Sequence, residues 1–142
     1  MKQNQKIMLL VSRVLIGWLF FYAGITKVLN PEWSAKGYLM GAKTFASFYQ
    51  WLASPANIGW VNFLNEWGLT LIGLSLILGI WVRWSALAGA IMMILYWFPD
   101  LSFPYVGHGF IVDEHIVYAS TLLLLKKFNA GAHFGVDALL KK

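Results

Sequence analysis

The side chains with the most chemical capacity in this sequence sit inside or beside its most apolar stretches. Asp113, Glu114 and His115 stand together near the start of one such stretch, with Tyr118 about one helical turn further on. Glu66 lies within another, followed at helical spacing by Thr70 and Gly73. In a third, Arg13, Gly17, Phe20, Gly24 and Lys27 recur in steps of four, three, four and three, which places them on one helical face. A charged group near the centre of a membrane helix costs roughly 2.5–3.5 kcal/mol on insertion scales, so each of these needs a partner or a wet cavity. His115, Glu66 and Asp113 are the candidate catalytic groups: an imidazole can donate a hydrogen bond and pass a proton, and carboxylates can carry one. Lys27, Glu114, Tyr118 and Arg13 are candidate ligand-binding groups. The competing reading is helix glue, in which Lys27 pairs with Glu66 or Asp113 while Arg13 and the remainder snorkel to water. A metal on His115 with Asp113, Glu114 or Glu66, or haem ligation by His115, is chemically allowed but matches no recognised ligand spacing, so no metal is assigned. His108, in a Gly-flanked loop, reads as solvated, and His133 sits in the C-terminal tail.

The elements that position these groups follow from composition. Of 142 residues, 59% are apolar and only 12% are charged, with a mean hydropathy of +0.63, whereas a soluble domain carries about a quarter charged residues. The chain therefore reads as a membrane protein, one domain over 1–142. It has no cysteine, which excludes disulfides, thiolate zinc sites, cysteine-ligated iron–sulfur clusters, covalent haem attachment and cysteine nucleophiles. The net charge of +5 comes from Lys and Arg scattered around apolar stretches and forms no basic patch, which argues against nucleic acid. Apolar segments at about 7–29, 58–82, 84–98 and 111–128 predict an all-α fold, an integral membrane four-helix bundle. The first is preceded by two lysines, as in a secretory signal, but its length, Arg13 and the lack of a small-residue cleavage site before Asn30-Pro31 favour a retained span. The segment 84–98 is short and needs a thinned bilayer or an irregular extension towards Asp100. Between the first two spans, 35–53 places Tyr38, Phe45, Phe48, Tyr49 and Leu52 on one face, which predicts an additional interfacial amphipathic helix; a fifth span is the alternative.

Charge predicts sidedness. With both termini cytoplasmic, Lys2, Lys6, Arg13, Arg83, Lys126, Lys127, Lys141 and Lys142 lie at or near the inner face, eight of the eleven basic residues. Lys27, Lys36 and Lys43 lie outward with Glu32, Glu66, Asp100, Asp113 and Glu114, three cations against five acids. The prediction is therefore a multi-pass protein of the cytoplasmic membrane. Pro31, Pro55, Pro99 and Pro104 all fall in the outward connections, so no helix interior is expected to contain a proline. Ser85 with Gly89, or Ala86 with Ala90, offers a small-residue packing face. Trp60, Trp81, Trp84, Tyr96 and Trp97 read as interfacial anchors. Residue counts from the span ends put Lys27, Glu66, Asp113, Glu114, His115 and Tyr118 at similar outward depth, as one polar cluster.

Taken in order, Arg13-x3-Gly17-x2-Phe20-x3-Gly24-x2-Lys27, the Asn65-Glu66 pair, Gly79 and Arg83, and Asp113-x-His115-x2-Tyr118 resemble the DoxX family, as does the tail Ala130-Gly131 with Gly135-Val136-Asp137. The resemblance covers nearly the whole chain. It is nearest to the branch that includes DoxD, the small membrane subunit of archaeal thiosulfate:quinone oxidoreductase. The resemblance implies a four-helix membrane protein that passes electrons to the quinone pool with a second oxidoreductase subunit; a homo-oligomer stays open. A quinone, as substrate or bound ligand, needs an apolar slot, donors to its carbonyl oxygens and two protons per two electrons. His115, Tyr118 and Lys27 are candidate donors, Glu66, Asp113 and Glu114 candidate proton carriers, and Phe20, Phe21 and Trp67 candidate ring neighbours. No glycine-rich dinucleotide fingerprint or paired-histidine haem motif is present, so no intrinsic redox cofactor is expected. Thiosulfate fits the acidic outward half poorly, which leaves the reductant open. The alternative function is a cofactor-free membrane scaffold or small-molecule carrier whose buried ion pairs serve assembly or transport.

Overall fold

The computed structural model describes residues 1–107 and 109–140; the readings of His108 as solvated and of Lys141 and Lys142 as inward charges lie outside the described residues. In chain order the elements are α1 (Gln3–Val28), α2 (Lys36–Met40), α3 (Ala46–Leu52), α4 (Ile58–Leu78), α5 (Val82–Asp100), the two-residue strands β1 (Leu101–Ser102), β2 (Tyr105–Val106) and β3 (Gly109–Phe110), α6 (Glu114–Lys127), a 3-10 turn (Ala130–Ala132) and α7 (Val136–Leu139). The protein is predominantly helical. Three helices, α1, α4 and α5, are long and apolar enough to cross a membrane. The fourth long helix, α6, has 14 residues, about 21 Å at ~1.5 Å per residue, against a hydrocarbon core of ~30 Å.

The helices are cut shorter or longer than hydrophobicity alone implies because local chemistry sets their ends. α4 stops before Gly79, whose φ of 74° is a left-handed cap. α6 begins at Glu114 because Asp113 is its N-cap, with Oδ1 accepting from the Ile116 N–H at 3.2 Å. α5 runs through Pro99 to Asp100, which corrects the expectation that no helix contains a proline. Pro99 has no N–H to give to the carbonyl four residues back, that of Leu95. The Tyr49 hydroxyl donates to that carbonyl instead, at 2.8 Å.

The predicted single amphipathic helix over 35–53 is two short helices, α2 and α3. The break has an identifiable cause: the Lys43 N–H donates to the Pro99 carbonyl at 3.1 Å and the Thr44 hydroxyl to that of Leu101, so this stretch bonds to the end of α5 and to β1 rather than to itself. Phe45 then restarts the helix from a left-handed conformation, φ 53°. Only part of the predicted face is buried: Tyr49 is in the core and Leu52 packs at its edge, whereas Tyr38, Phe45 and Phe48 are exposed, because the break at 41–45 turns α2 and α3 relative to each other. Leu39, Ala42, Tyr49 and Ala53 bury against Val61, with Leu52, Ile58 and Phe98 around them. The 101–110 connection folds as a small antiparallel sheet, with Leu101 opposite Val106 and Tyr105 opposite Phe110.

α1 lies along α4, α5 along α6, and α4 meets α5. The α1–α4 contact depends on glycine. A Cβ at Gly73 would lie 2.2 Å from the Phe21 nitrogen, and one at Gly24 would lie 2.3 Å from the Thr70 nitrogen. Close approach of this kind replaces the hydrophobic drive that lipid does not supply. Phe20, Leu76, Val82, Ala86 and Leu122 are fully buried between the helices. Leu15, Trp18, Leu71, Ile91 and Leu124 face outward and are exposed, a surface compatible with a lipid bilayer.

Candidate functional site

One end of α1, α4, α5 and α6 is open. There Lys27, Trp33, Ser34, Tyr38, Asn65, Tyr96, Asp100 and His115 line a cavity of about 310 Å³. His115 Nδ1 lies 2.8 Å from Asp113 Oδ2, so Asp113 orients the ring while its other oxygen caps α6. That leaves Nε2 as the ring atom with capacity for a ligand. The Tyr96 ring meets the His115 ring edge-on, with centroids 6.0 Å apart at 85°. Lys27 donates to the Ala23 carbonyl of its own helix at 2.7 Å and sits 5.4 Å from the centre of the Trp33 ring.

Several polar groups in this wall are already satisfied by one another. The Tyr96 hydroxyl donates to Asn65 Oδ1, and Asn65 Nδ2 donates to the Val61 carbonyl at 2.8 Å. The Tyr38 hydroxyl lies within hydrogen-bond reach of both the Tyr96 carbonyl and Asp100 Oδ2. Burial, and then the neighbouring Asp100 carboxylate, push the Tyr38 phenol above its ordinary pKa, so it stays protonated. The groups with hydrogen-bonding capacity in reserve are the Lys27 ammonium, the second His115 nitrogen and the Asp100 carboxylate.

The polar cavity adjoins an apolar one. A second space of about 480 Å³ is lined by Leu64, Gly68, Leu71, Ile72, Met92 and Leu95 on α4 and α5, with Leu39, Phe48 and Tyr49 over it, and it shares Ala35, Tyr38, Asn65 and Tyr96 with the first. Glycine and alanine at Gly68 and Ala88 leave this room between helices that elsewhere would close.

Of the residues named from sequence, Lys27 and His115 line the cavity and Asp113 holds His115. Glu66 is half-buried and does not line it; its neighbour Asn65 does, because successive helical side chains point about 100° apart. Glu114 is exposed and borders a separate cavity of about 330 Å³ beside Asp100, Asp113 and Gly107. Tyr118 packs against the core, where Phe20 is fully buried. Phe20, Phe21 and Trp67 border neither the polar nor the apolar cavity. The ion pair of Lys27 with Glu66 or Asp113 is absent among the described residues, where the one close acid–base pair is Asp113 with His115. Sequence reasoning missed Tyr38 and Trp33 as site residues and took Tyr96 only as an anchor. Tyr96 and Asp100 stand one helical turn apart, a polar pair that marks this face of α5.

Arg13 is at the other end of α1, and it is not snorkelling. It is 1% exposed, and its guanidinium donates to the carbonyls of Ala130 at 3.0 Å, Phe134 at 3.1 Å and His133 at 3.4 Å. Asp137 completes the arrangement: its oxygens accept from the Trp81 and Val82 N–H groups at 2.8 and 3.2 Å, which caps α5, and its own N–H donates to the Gly79 carbonyl at 2.9 Å. Gly79, Gly131 and Gly135 are tightly packed here; a Cβ at Gly131 would fall 2.2 Å from Asp137 Oδ2, and one at Gly135 would fall 2.6 Å from the Arg13 guanidinium. The segment Ala130-Gly131 through Gly135-Val136-Asp137 is thus a plug that Arg13 holds against the α4–α5 turn.

The family model for DoxX matches residues 8–99. The chain belongs to the DoxX family. No curated protein and no solved structure matches it. Together with the three membrane-compatible helices, membership makes this a membrane protein. The DoxX match contains Arg13, Lys27, Asn65 and Tyr96, and it ends before Asp113 and His115. One wall of the open cavity therefore belongs to the matched DoxX region, and the imidazole wall comes from α6 beyond it.

Proposed function

We propose that this DoxX protein is the membrane subunit of a quinone-linked oxidoreductase and that its open end receives the quinone headgroup. The observation that carries the reading is that the two cavities share a wall at Tyr38, Asn65 and Tyr96, so that rearrangement of these hydrogen-bonded side chains would join them. A lipid-soluble quinone needs a polar place for its carbonyls that is continuous with an apolar slot for ring and tail. In this reading Lys27 and His115 Nε2 donate to carbonyl oxygens, and the apolar slot between α4 and α5 takes the remainder.

Reduction to the quinol takes two electrons and two protons. The electrons come from a reductant bound by a partner subunit, and the protons pass through His115, with Asp113 holding the imidazolium that forms. Asp100 and Glu114, around the adjoining cavity, give protons a route from water. Glu66, Tyr118 and Arg13 have no part in this step.

The four-crossing topology is part of the same proposal. α6 is short for a span, so it crosses in a thinned part of the bilayer, packed along α5, with both termini cytoplasmic and the open cavity outward. In intact cells, an impermeant thiol reagent applied outside is expected to label Ser102→Cys and to spare Leu139→Cys; the reverse pattern rejects the topology.

Turnover tests the function. In gently extracted protein that retains its partner subunit and is supplied with its reductant, His115→Ala is expected to abolish quinone-dependent turnover with helicity and melting unchanged, while Glu66→Gln stays active. Equal loss of fold and turnover in the His115 variant favours helix glue, and full activity removes His115 from the mechanism.

A further inference from the structure

We propose that the end opposite the open cavity holds the phosphate of an anionic phospholipid, seated between Arg83, Lys126 and Lys127. This does not depend on the quinone reading. These three cations, with Leu123 and Asn129, line a cavity of about 520 Å³ that no acidic residue borders. This corrects the reading of the basic residues as scattered without a patch: Arg83 and the Lys126-Lys127 pair, far apart in sequence, are brought together by the packing of α5 on α6. The one acid at this end, Asp137, is engaged with the Trp81 and Val82 N–H groups and lies beside Arg13. Among the described residues, none of the three cations has an ion-pair partner. Like charges gathered around one space repel unless an anion joins them.

Helix dipoles account for part of the cluster but not for all of it. Lys126 and Lys127 occupy the last turn of α6, where a cation is favoured. Arg83 is the second residue of α5, where the dipole disfavours a cation. A phosphate between the two helix ends removes that conflict, with the Arg83 fork on two of its oxygens and the lysines as point charges.

The source of the phosphate follows from depth. Trp81 and Trp84, on either side of Arg83, are 72% and 74% exposed, and tryptophans displayed at the end of an apolar helix mark the headgroup layer. Leu123 in the cavity wall and its exposed neighbour Leu124 continue along α6 towards hydrocarbon, which suits a phosphodiester carrying acyl chains more than a free ion. Basic pockets between membrane helices commonly take such headgroups.

The test uses the full chain reconstituted in vesicles of phosphatidylcholine mixed with phosphatidylglycerol, followed by native mass spectrometry of the lipid it retains. Wild-type protein is expected to retain phosphatidylglycerol in preference to phosphatidylcholine. That preference should fall by roughly fivefold for each cation removed, in Arg83→Gln and in Lys126→Gln with Lys127→Gln. Lys36→Gln, at the open end, should leave it unchanged. Equal retention of the two lipids by wild type overturns the proposal, and this comparison needs no variant to fold. Inorganic phosphate alone raising the melting temperature of detergent-purified protein as much as phosphatidylglycerol does would assign the site to a soluble anion and overturn the lipid assignment.

Discussion

Arg13 and Lys27 share one face of α1, and the protein treats them in opposite ways. Arg13 is sealed under a plug, with three backbone carbonyls and a nearby carboxylate. Lys27 is half-buried, bonded once to its own helix, and borders a cavity with His115 across from it. An arginine fork can satisfy several carbonyls at fixed geometry, so it suits a closed joint; a lysine at a cavity keeps donors in reserve. The difference teaches that a charge at membrane depth is not by itself a site. What separates glue from site is what the unspent donors face: Arg13 keeps only its Nε unbonded, and that atom is buried, whereas the Lys27 ammonium borders a cavity.

The comparison breaks most severely at Arg13. Arg13→Met should leave the Ala130, His133 and Phe134 carbonyls and the Asp137 carboxylate without their cation, at a loss of about 3–5 kcal/mol. Lys27→Met should lose far less. Denaturant unfolding in mixed micelles measures both, and a Lys27 loss equal to that at Arg13 would erase the distinction between the two ends.

Gly73→Ala comes next. Its new Cβ meets the Phe21 backbone, which cannot move without shifting α1, and about 1–3 kcal/mol of stability should go. Gly59→Ala, where nothing lies within 4 Å, should be neutral or stabilising. Thermal melts of the pair test whether the helices between the two ends form a rigid spacer.

At the open end, Tyr96→Phe removes the hydroxyl that holds Asn65, and a loss of about 1 kcal/mol is expected. If the cavity is a quinone site, the same change should weaken quinone binding more than it weakens the fold. Titration of quinone against protein stability reads both at once.

The smallest effect is alkaline. Burial raises the Tyr49 phenol to about 12, and its hydroxyl is the donor to the Leu95 carbonyl that Pro99 leaves free. A phenol whose folded pKa lies above its unfolded value of ~10 adds stability below pH ~10. That contribution fades as pH climbs towards 12. Ultraviolet titration of phenolate should show one fewer late-titrating tyrosine in Tyr49→Phe than in wild type, Tyr38 titrating late in both; an equal count in the two would place α3 away from α5.

The membrane character, the apolar cores of the long helices and the shared face of Arg13 and Lys27 were all legible in the sequence, because period and hydrophobicity are local properties. The family likeness was legible for the same reason, since its motifs are short spacings. Tertiary structure decided the remainder. Whether Glu66 or Asn65 meets the cavity depends on the rotation of α4 about its axis, which the Gly24–Thr70 and Gly73–Phe21 contacts set. That Arg13 is plugged rather than solvated depends on a segment from the far end of the chain, Ala130 to Asp137, folding back beside it. Residue types and spacing determine which groups can be charged at depth. Only the packing of distant elements decides which of those charges are consumed by partners and which are left facing a cavity, because hydrogen-bond satisfaction is a property of the neighbours and not of the residue.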